Sequence, residues 1–202
     1  MAAARDTDAT QRPWPLPDEP VPVRLMNTIY ADRGVVRDAL GSTADLAEWL
    51  VETGLLDRRR RVTREDLARA RSLRDALRHL AGVITTGGRA TGGSAIEGIG
   101  DAVAVVNAAA TAAPDPPRVR MIDGRLQRHP EALGPPVLSA LSRVAAEAVQ
   151  LLTDPGAPAL GACRGPGCVL FFVKDHPRRE WCSTRCGDRV RAARYYRRHR
   201  AG

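Results

Sequence analysis

Residues 163–189 read CRGPGCVLFFVKDHPRREWCSTRCGDR and contain all four cysteines of the 202-residue chain. The cysteines form two pairs, with four residues inside the first pair and three inside the second. Two thiolate pairs on short loops supply the four soft ligands that a tetrahedral zinc site requires. The pattern therefore predicts one structural Zn²⁺ held by Cys163, Cys168, Cys182 and Cys186.

The residues between and after the cysteine pairs predict the shape of this segment. The apolar run 169–173 predicts a strand that forms a hairpin with the stretch ending at Trp181. Ser183 is placed to cap a helix that carries the last ligand. A knuckle, a hairpin and a helix describe a treble-clef-like zinc finger with four cysteine ligands. Metal-free thiol pairs and an iron–sulfur cluster stay open as alternatives.

The positive charge of the chain is concentrated in the same segment. Of a net charge of +8, residues 163–202 carry the whole excess, with eleven Lys and Arg against three Asp and Glu. Such a field favours nucleic acid as a partner, with a solvated arginine face as the alternative. On a helix, three of these arginines form a stripe, because they fall within about 60° of one another: Arg191, Arg194 and Arg198. Arg189 lies nearer the helix start and is the candidate for reading a base edge. The residues predicted to contact DNA are Arg189, Arg191, Arg194, Arg197, Arg198 and Arg200.

The rest of the chain predicts a helical domain, because it is rich in Ala and Leu and aromatic residues make up only 4% of the sequence. The predicted elements are a helix between Ser42 and Gly54, a helix opened by a Thr63 and Asp66 capping box, a helix over 99–112, a small β-hairpin around Asp123-Gly124, and a helix from Pro135 to about Leu152. The fold class is therefore mainly α, with a helical N-terminal domain followed by the zinc finger.

Four segments follow from these patterns. Residues 1–20 are predicted to be a disordered Pro-rich arm, 21–153 the helical domain, 154–161 a linker, and 162–202 the zinc finger with its basic C-terminal helix. The linker predicts that the two folded segments have separate hydrophobic cores.

The cysteine segment resembles the CGNR zinc-finger family, whose signature is Trp-Cys-Ser followed by Cys-Gly-Asn-Arg. The upstream residues are similar to the ABATE domain that precedes this finger, and the matching stretches are Leu25-Met26-Asn27-Thr28, 44–50, 73–78 and 106–109. Asp188 stands where the signature has Asn. An ionised Asp only accepts hydrogen bonds and repels phosphate, so any contact that this Asn makes with DNA is in question here.

The resemblance implies a bacterial transcription regulator that is linked to stress and binds DNA through the finger. It also implies a ligand-sensing role for the helical domain, with Asn27 in the opening motif as the candidate ligand-binding residue. A small-molecule effector and a homodimer are further expectations. The alternative function is a zinc-finger protein–protein interaction module without specific DNA binding.

Enzymes and membrane proteins are the classes that the sequence argues against. It contains no Ser-His-Asp set, phosphate-binding loop or paired-carboxylate motif, and a four-cysteine zinc site leaves no open ligand position for catalysis. We therefore expect that the chain is not an enzyme. No secretory signal or membrane span is visible, which predicts a cytoplasmic protein with no membrane partner.

Overall fold

The structure, a computed structural model, describes residues 14–87, 96, 98–114, 117–130 and 134–199. The elements of this part of the chain are α1 (Val21–Met26), β1 (Ile29–Asp32), β2 (Val35–Asp38), α2 (Thr43–Glu52), α3 (Arg64–Thr86), α4 (Ile99–Ala112), β3 (Pro117–Ile122), β4 (Arg125–Pro130), α5 (Pro136–Thr153), β5 (Leu160–Ala162), β6 (Phe171–Val173) and α6 (Thr184–His199). The strands form three separate two-stranded antiparallel hairpins. The fold is mainly α, as the sequence predicts.

The start signals of α2 and α3 act as predicted. Ser42 accepts a hydrogen bond from the backbone N–H of Asp45, and the Asp45 carboxylate accepts one from the N–H of Ser42 at 2.7 Å. Thr63 and Asp66 form the same reciprocal box at the start of α3. Each box satisfies two backbone donors that a helix start would otherwise leave unpaired. These helices therefore begin where the local sequence sets them.

The main hydrophobic core lies among helices α1 to α5. Its most buried side chains are at most 1% exposed and include Trp49 of α2, Leu73 and Leu77 of α3, and Val144 of α5. Burying one such side chain contributes about 1.5–3 kcal/mol. Within the described residues, no helix is both long and apolar enough to cross a membrane.

The prediction of a disordered arm is wrong for residues 14–20. Trp14 is 5% exposed and belongs to the main core, and Leu16 packs beside the cysteine cluster. The Glu19 carboxylate accepts a hydrogen bond from the backbone N–H of Val173 at 2.8 Å. The proline content suggested an arm, but two apolar side chains and one carboxylate anchor these residues. Residues 1–13 lie outside the described part of the chain.

The β1–β2 hairpin was not predicted. Its turn places Arg33 and Gly34 at φ +47° and +84°, the left-handed region that glycine favours. The usual Asn-Gly or Asp-Gly turn signal is absent from the sequence at this point. All four residues of β2 are exposed, so the strand also lacks the alternation of buried and exposed residues that marks a half-buried strand.

The hairpin of the finger differs from the predicted one. β6 pairs with β5, with Gly161 opposite Phe172, and does not pair with the stretch ending at Trp181. A Cβ at Gly161 would lie 2.8 Å from the Phe172 ring, so glycine is needed for this close packing. The Arg179 guanidinium donates to the backbone carbonyls of Val173, Trp181 and Cys182, which a strand partner would otherwise satisfy. β5 begins at Leu160, inside the predicted linker.

Two separate hydrophobic clusters are present, as predicted, but one strand contributes to both. Phe171 is fully buried in the core of the helical domain, whereas the next residue, Phe172, is fully buried beside Cys182 and Cys186. Successive side chains of a strand point to opposite faces, so β6 contributes one ring to each cluster. The finger and the helical domain are therefore joined through a shared strand.

Candidate metal centre and the helix that follows it

The four cysteines come together in space. Their Sγ atoms all lie within 4.8 Å of one another, and Cys182 Sγ lies 3.8 Å from Cys168 Sγ and 3.5 Å from Cys186 Sγ. With Zn–S bonds of about 2.3 Å, the sulfurs of a tetrahedral site are about 3.8 Å apart. The cluster therefore has the dimensions of a four-cysteine zinc site, and the four thiols are free of disulfides.

The loop of the first cysteine pair needs its glycines. A Cβ at Gly165 would lie 3.1 Å from Cys186 Cβ and 3.4 Å from Cys163 Sγ, so a side chain there would crowd two of the four ligands. Gly167 adopts a left-handed φ of +70°, which closes the turn. The backbone N–H groups of Gly165 and Cys182 each donate to Cys163 Sγ at 3.4 Å. These contacts stabilise a thiolate at Cys163.

The second cysteine pair is positioned by the start of α6. Ser183 Oγ accepts a hydrogen bond from the backbone N–H of Cys186 at 3.4 Å, which is the capping role predicted for Ser183. Cys186 lies in the first turn of the helix, where the helix dipole favours a negative charge. The metal site and the direction of α6 are thus fixed by the same few residues.

The thiols of Cys163, Cys168 and Cys182 differ in how readily they lose their protons. Hydrogen bonds from the thiols of Cys168 and Cys182, and then from backbone N–H groups, lower the pKa of Cys163 despite its burial. The same contacts raise the pKa of Cys168 and of Cys182, because each donates its proton to Cys163. Zinc binds thiolates, so metal binding would displace the remaining protons.

Arg189 contacts the metal centre. Its guanidinium Nη2 donates to Cys186 Sγ at 2.9 Å, and this hydrogen bond raises the pKa of Arg189. A charge-assisted donor on a ligand sulfur withdraws negative charge from it and orients the ligand. The contact engages Nη2 of an otherwise exposed side chain, so the base-reading role of Arg189 stays a prediction.

A basic groove lies farther along α6. Arg191, Arg194 and Arg198 line a shallow groove of about 300 Å³ together with Tyr195 and His199. The rings of Tyr195 and His199 stack with their centroids 4.0 Å apart. The predicted stripe of three arginines is therefore present, and it has an aromatic neighbour.

The other predicted DNA contacts have different surroundings. Asp188, which replaces the signature asparagine, forms an ion pair with Arg191 one helical turn later. Arg197 lies in α6, and Arg200 lies outside the described residues. The structure thus shows Arg194 and Arg198 in the groove, and Arg191 in the groove with an acidic partner.

Asn27 is not placed to bind a ligand, contrary to the prediction. It is fully buried, its Nδ2 donates to the carbonyl oxygen of Phe171 at 2.9 Å, and its Oδ1 accepts from the N–H of Phe171 at 2.9 Å. Both polar atoms of the amide are engaged with the finger backbone. Asn27 therefore joins the helical domain to β6.

Arg78 is a second link between the two parts, and sequence reasoning missed it. Its guanidinium donates to the carbonyls of Met26 at 2.8 Å and Val169 at 3.1 Å, and it lies 5.3 Å from the centre of the Phe171 ring. Burial lowers the pKa of Arg78 to about 10, so the group stays charged at neutral pH. The sequence offered one signal for this role. Arg78 falls among the apolar positions of α3, on the helix face that the apolar pattern predicts to be buried.

Comparison with known families covers both parts of the chain. The ABATE family model, described as "Putative stress-induced transcription regulator", matches residues 19–155. The CGNR zinc finger model matches residues 159–199, which include all four cysteines. None of the curated proteins compared with the chain matches it. The CGNR match and the sulfur geometry together identify the cluster as the site of one structural zinc ion. The chain belongs to the ABATE family and carries a CGNR zinc finger at its C-terminal end.

Proposed function

We propose that the protein is a zinc-dependent transcription regulator that binds DNA through α6 and acts by binding, not as an enzyme. The observation that carries this proposal is the groove of Arg191, Arg194 and Arg198 on a helix whose first turn supplies a zinc ligand. Arginine is the residue best suited to bidentate contacts with phosphate and guanine. The ABATE description supports the regulatory part of the proposal.

The charge of the segment supports DNA as the partner. Four thiolates and one Zn²⁺ add two negative charges, which leaves residues 163–202 strongly positive. Arg191, Arg194 and Arg198 are exposed, whereas Cys186 and Val190, nearer the start of α6, are buried. The zinc ion therefore holds the start of α6 while the rest of the helix presents its cations to a polyanion.

Fluorescence anisotropy on labelled duplexes at several salt concentrations tests this proposal. Replacing Arg191, Arg194 and Arg198 together by Ala should weaken binding and flatten the slope of log affinity against log salt by about 0.9 per lost phosphate contact. The matched control replaces the exposed Arg58, Arg59 and Arg61, which removes the same charge from the loop between α2 and α3.

Two results would contradict the proposal. One is unchanged affinity and slope in the α6 variant, and the other is an equal loss in both variants, which would indicate a general effect of charge. Either result would favour the alternative that the finger docks a protein partner.

We also propose that the helical domain senses a small, largely apolar molecule, at a different place from the one that the sequence suggested. A cavity of about 480 Å³ lies between α3, α4 and α5, with Leu73, Val105 and Leu141 in its wall and Arg69 at its polar side. A cavity of this size suits a small ligand with one anionic or accepting group. A thermal-shift screen of metabolites tests this proposal. The control is the Ala109→Met variant, in which the larger side chain fills the cavity. No shift with any compound, or equal shifts in both proteins, would contradict it.

A further inference from the structure

The β3–β4 hairpin is a surface ribbon with two different faces. Its strands pair in register from Pro117 opposite Pro130 to Ile122 opposite Arg125, and all side chains from Arg118 to Gln127 are exposed. The turn is closed by Asp123 and Gly124, both in the left-handed region. Because neither face of the ribbon is buried, its pattern of residues needs an explanation other than the hydrophobic core.

The pattern places most of the charge on one face and most of the apolar side chains on the other. Alternate residues of a strand share a face, as do residues directly opposite each other on paired strands. Arg118, Arg120 and Arg125 therefore lie on one face, together with Gln127 opposite Arg120 and the apolar Ile122 opposite Arg125. The other face carries Val119, Met121 and Leu126, each about two thirds exposed, and the register pairs Val119 with Arg128.

The arginine face is suited to the backbone of a nucleic acid. Arg118 and Arg120 are about 6.8 Å apart along the strand, which is twice the 3.4 Å axial rise per phosphate of one DNA strand. Residues 117–130 contain four arginines and one acidic residue, whereas residues 1–162 as a whole have equal numbers of basic and acidic groups. The major groove of DNA accommodates a two-stranded ribbon, and Gln pairs with adenine there.

We propose that the β3–β4 ribbon is a second contact with double-stranded DNA, made through Arg118, Arg120 and Arg125. This inference rests on the proposed function of α6 and extends it to a separate part of the chain. The apolar face alone does not carry a partner, because three aliphatic side chains fall well short of the roughly 800 Å² per partner of a stable protein interface. Charge complementarity therefore favours DNA as the partner of the ribbon.

The place of the ribbon in the chain sets the design of the test. The ribbon precedes α5 and the finger follows it, and the 18 residues of α5 span about 27 Å. One turn of B-DNA spans about 34 Å. A duplex of about 30 base pairs is therefore long enough to offer phosphates to both elements.

The experiment uses the zinc-loaded full chain and measures anisotropy against salt on this duplex. The variant replaces Arg118, Arg120 and Arg125 by Ala, and the control replaces Val119, Met121 and Leu126 by Thr, which is compatible with a strand. We expect the arginine variant to lose two to three units of the salt slope, at about 0.9 per phosphate, and the control to bind as the unmodified chain does. Unchanged zinc content and unfolding temperature would show that both variants are folded.

Each other outcome overturns the ribbon contact in a distinguishable way. If the α6 variant loses affinity and the ribbon variant does not, the ribbon is not a DNA contact while the proposed function stands. If the unmodified chain does not bind the duplex, both proposals fail. If the apolar-face variant is the weaker binder and the arginine variant binds normally, the arginine face is not the DNA contact. Sedimentation with phosphatidylserine vesicles that depends on the ribbon arginines, without an effect on DNA binding, would point to a membrane surface.

Discussion

Replacing Asn27 by Ala should destabilise the finger and the helical domain together. The substitution leaves the backbone N–H and C=O of Phe171 buried without their 2.9 Å partners. Each unsatisfied buried group costs about 1–3 kcal/mol, so the expected loss in the free energy of unfolding is about 2–6 kcal/mol. A domain of this size is stable by about 5–15 kcal/mol, so the effect should be large. Zinc should also dissociate faster, because Phe172, the next residue of β6, packs beside Cys182.

Urea unfolding followed by circular dichroism measures the first effect, and zinc release to a chromogenic chelator measures the second. The matched control is Asn107→Ala, because Asn107 is an exposed asparagine in the middle of α4. It should change stability by less than about 0.7 kcal/mol, the range of helix propensity. The reasoning is refuted if Asn27→Ala unfolds within about 0.5 kcal/mol of the unmodified chain and releases zinc at the same rate.

Four further predictions test other contacts. Arg189→Gln should weaken zinc binding about 10- to 100-fold in a chelator competition, because it removes the donor to Cys186 Sγ. The control Arg185→Gln, on the same helix, should leave zinc affinity unchanged, and equal effects of the two substitutions would contradict this role of Arg189. Asp188→Asn should steepen the salt slope of DNA binding by about one unit, because it releases Arg191, and an unchanged slope would count against α6 as the DNA contact. Trp14→Ala should lower the free energy of unfolding by about 3–5 kcal/mol, measured by urea unfolding. A change below about 1 kcal/mol would support the prediction of a disordered arm. Chelating zinc should lower the unfolding temperature of the helical domain as well as that of the finger, and two independent transitions would argue against the shared strand.

Local signals predicted much of this structure. The Thr63–Asp66 capping box, the Ser42 cap, the Asp123-Gly124 turn, α4 and the four clustered cysteines each depend on residues close together in the sequence, so their chemistry is visible there. The β5–β6 pairing was missed, because it depends on the fit of the Phe172 ring against Gly161 and on Arg179 occupying the carbonyls of a competing strand.

The contacts between the two parts of the chain could not be predicted. Asn27 and Phe171 are 144 residues apart, and their pairing follows only once the helical domain has placed α1 beside β6. The same holds for Arg78, which occupies a buried position that sequence patterns assign to apolar residues. Arg189 was assigned to DNA because its place at the helix start is visible in the sequence, whereas its contact with a sulfur is not.

The shared strand restricts how these two parts can be recombined. A chain that ended before the finger would lose the buried Phe171 ring from the helical core, leave Asn27 without its backbone partner and remove one of the two carbonyls that Arg78 contacts. A finger transplanted onto another protein would likewise expose that ring to water. A functional fusion should therefore carry α1, α3 and the finger together, and an exchange of fingers between relatives should succeed only where the residues at positions 27 and 78 fit the incoming strand.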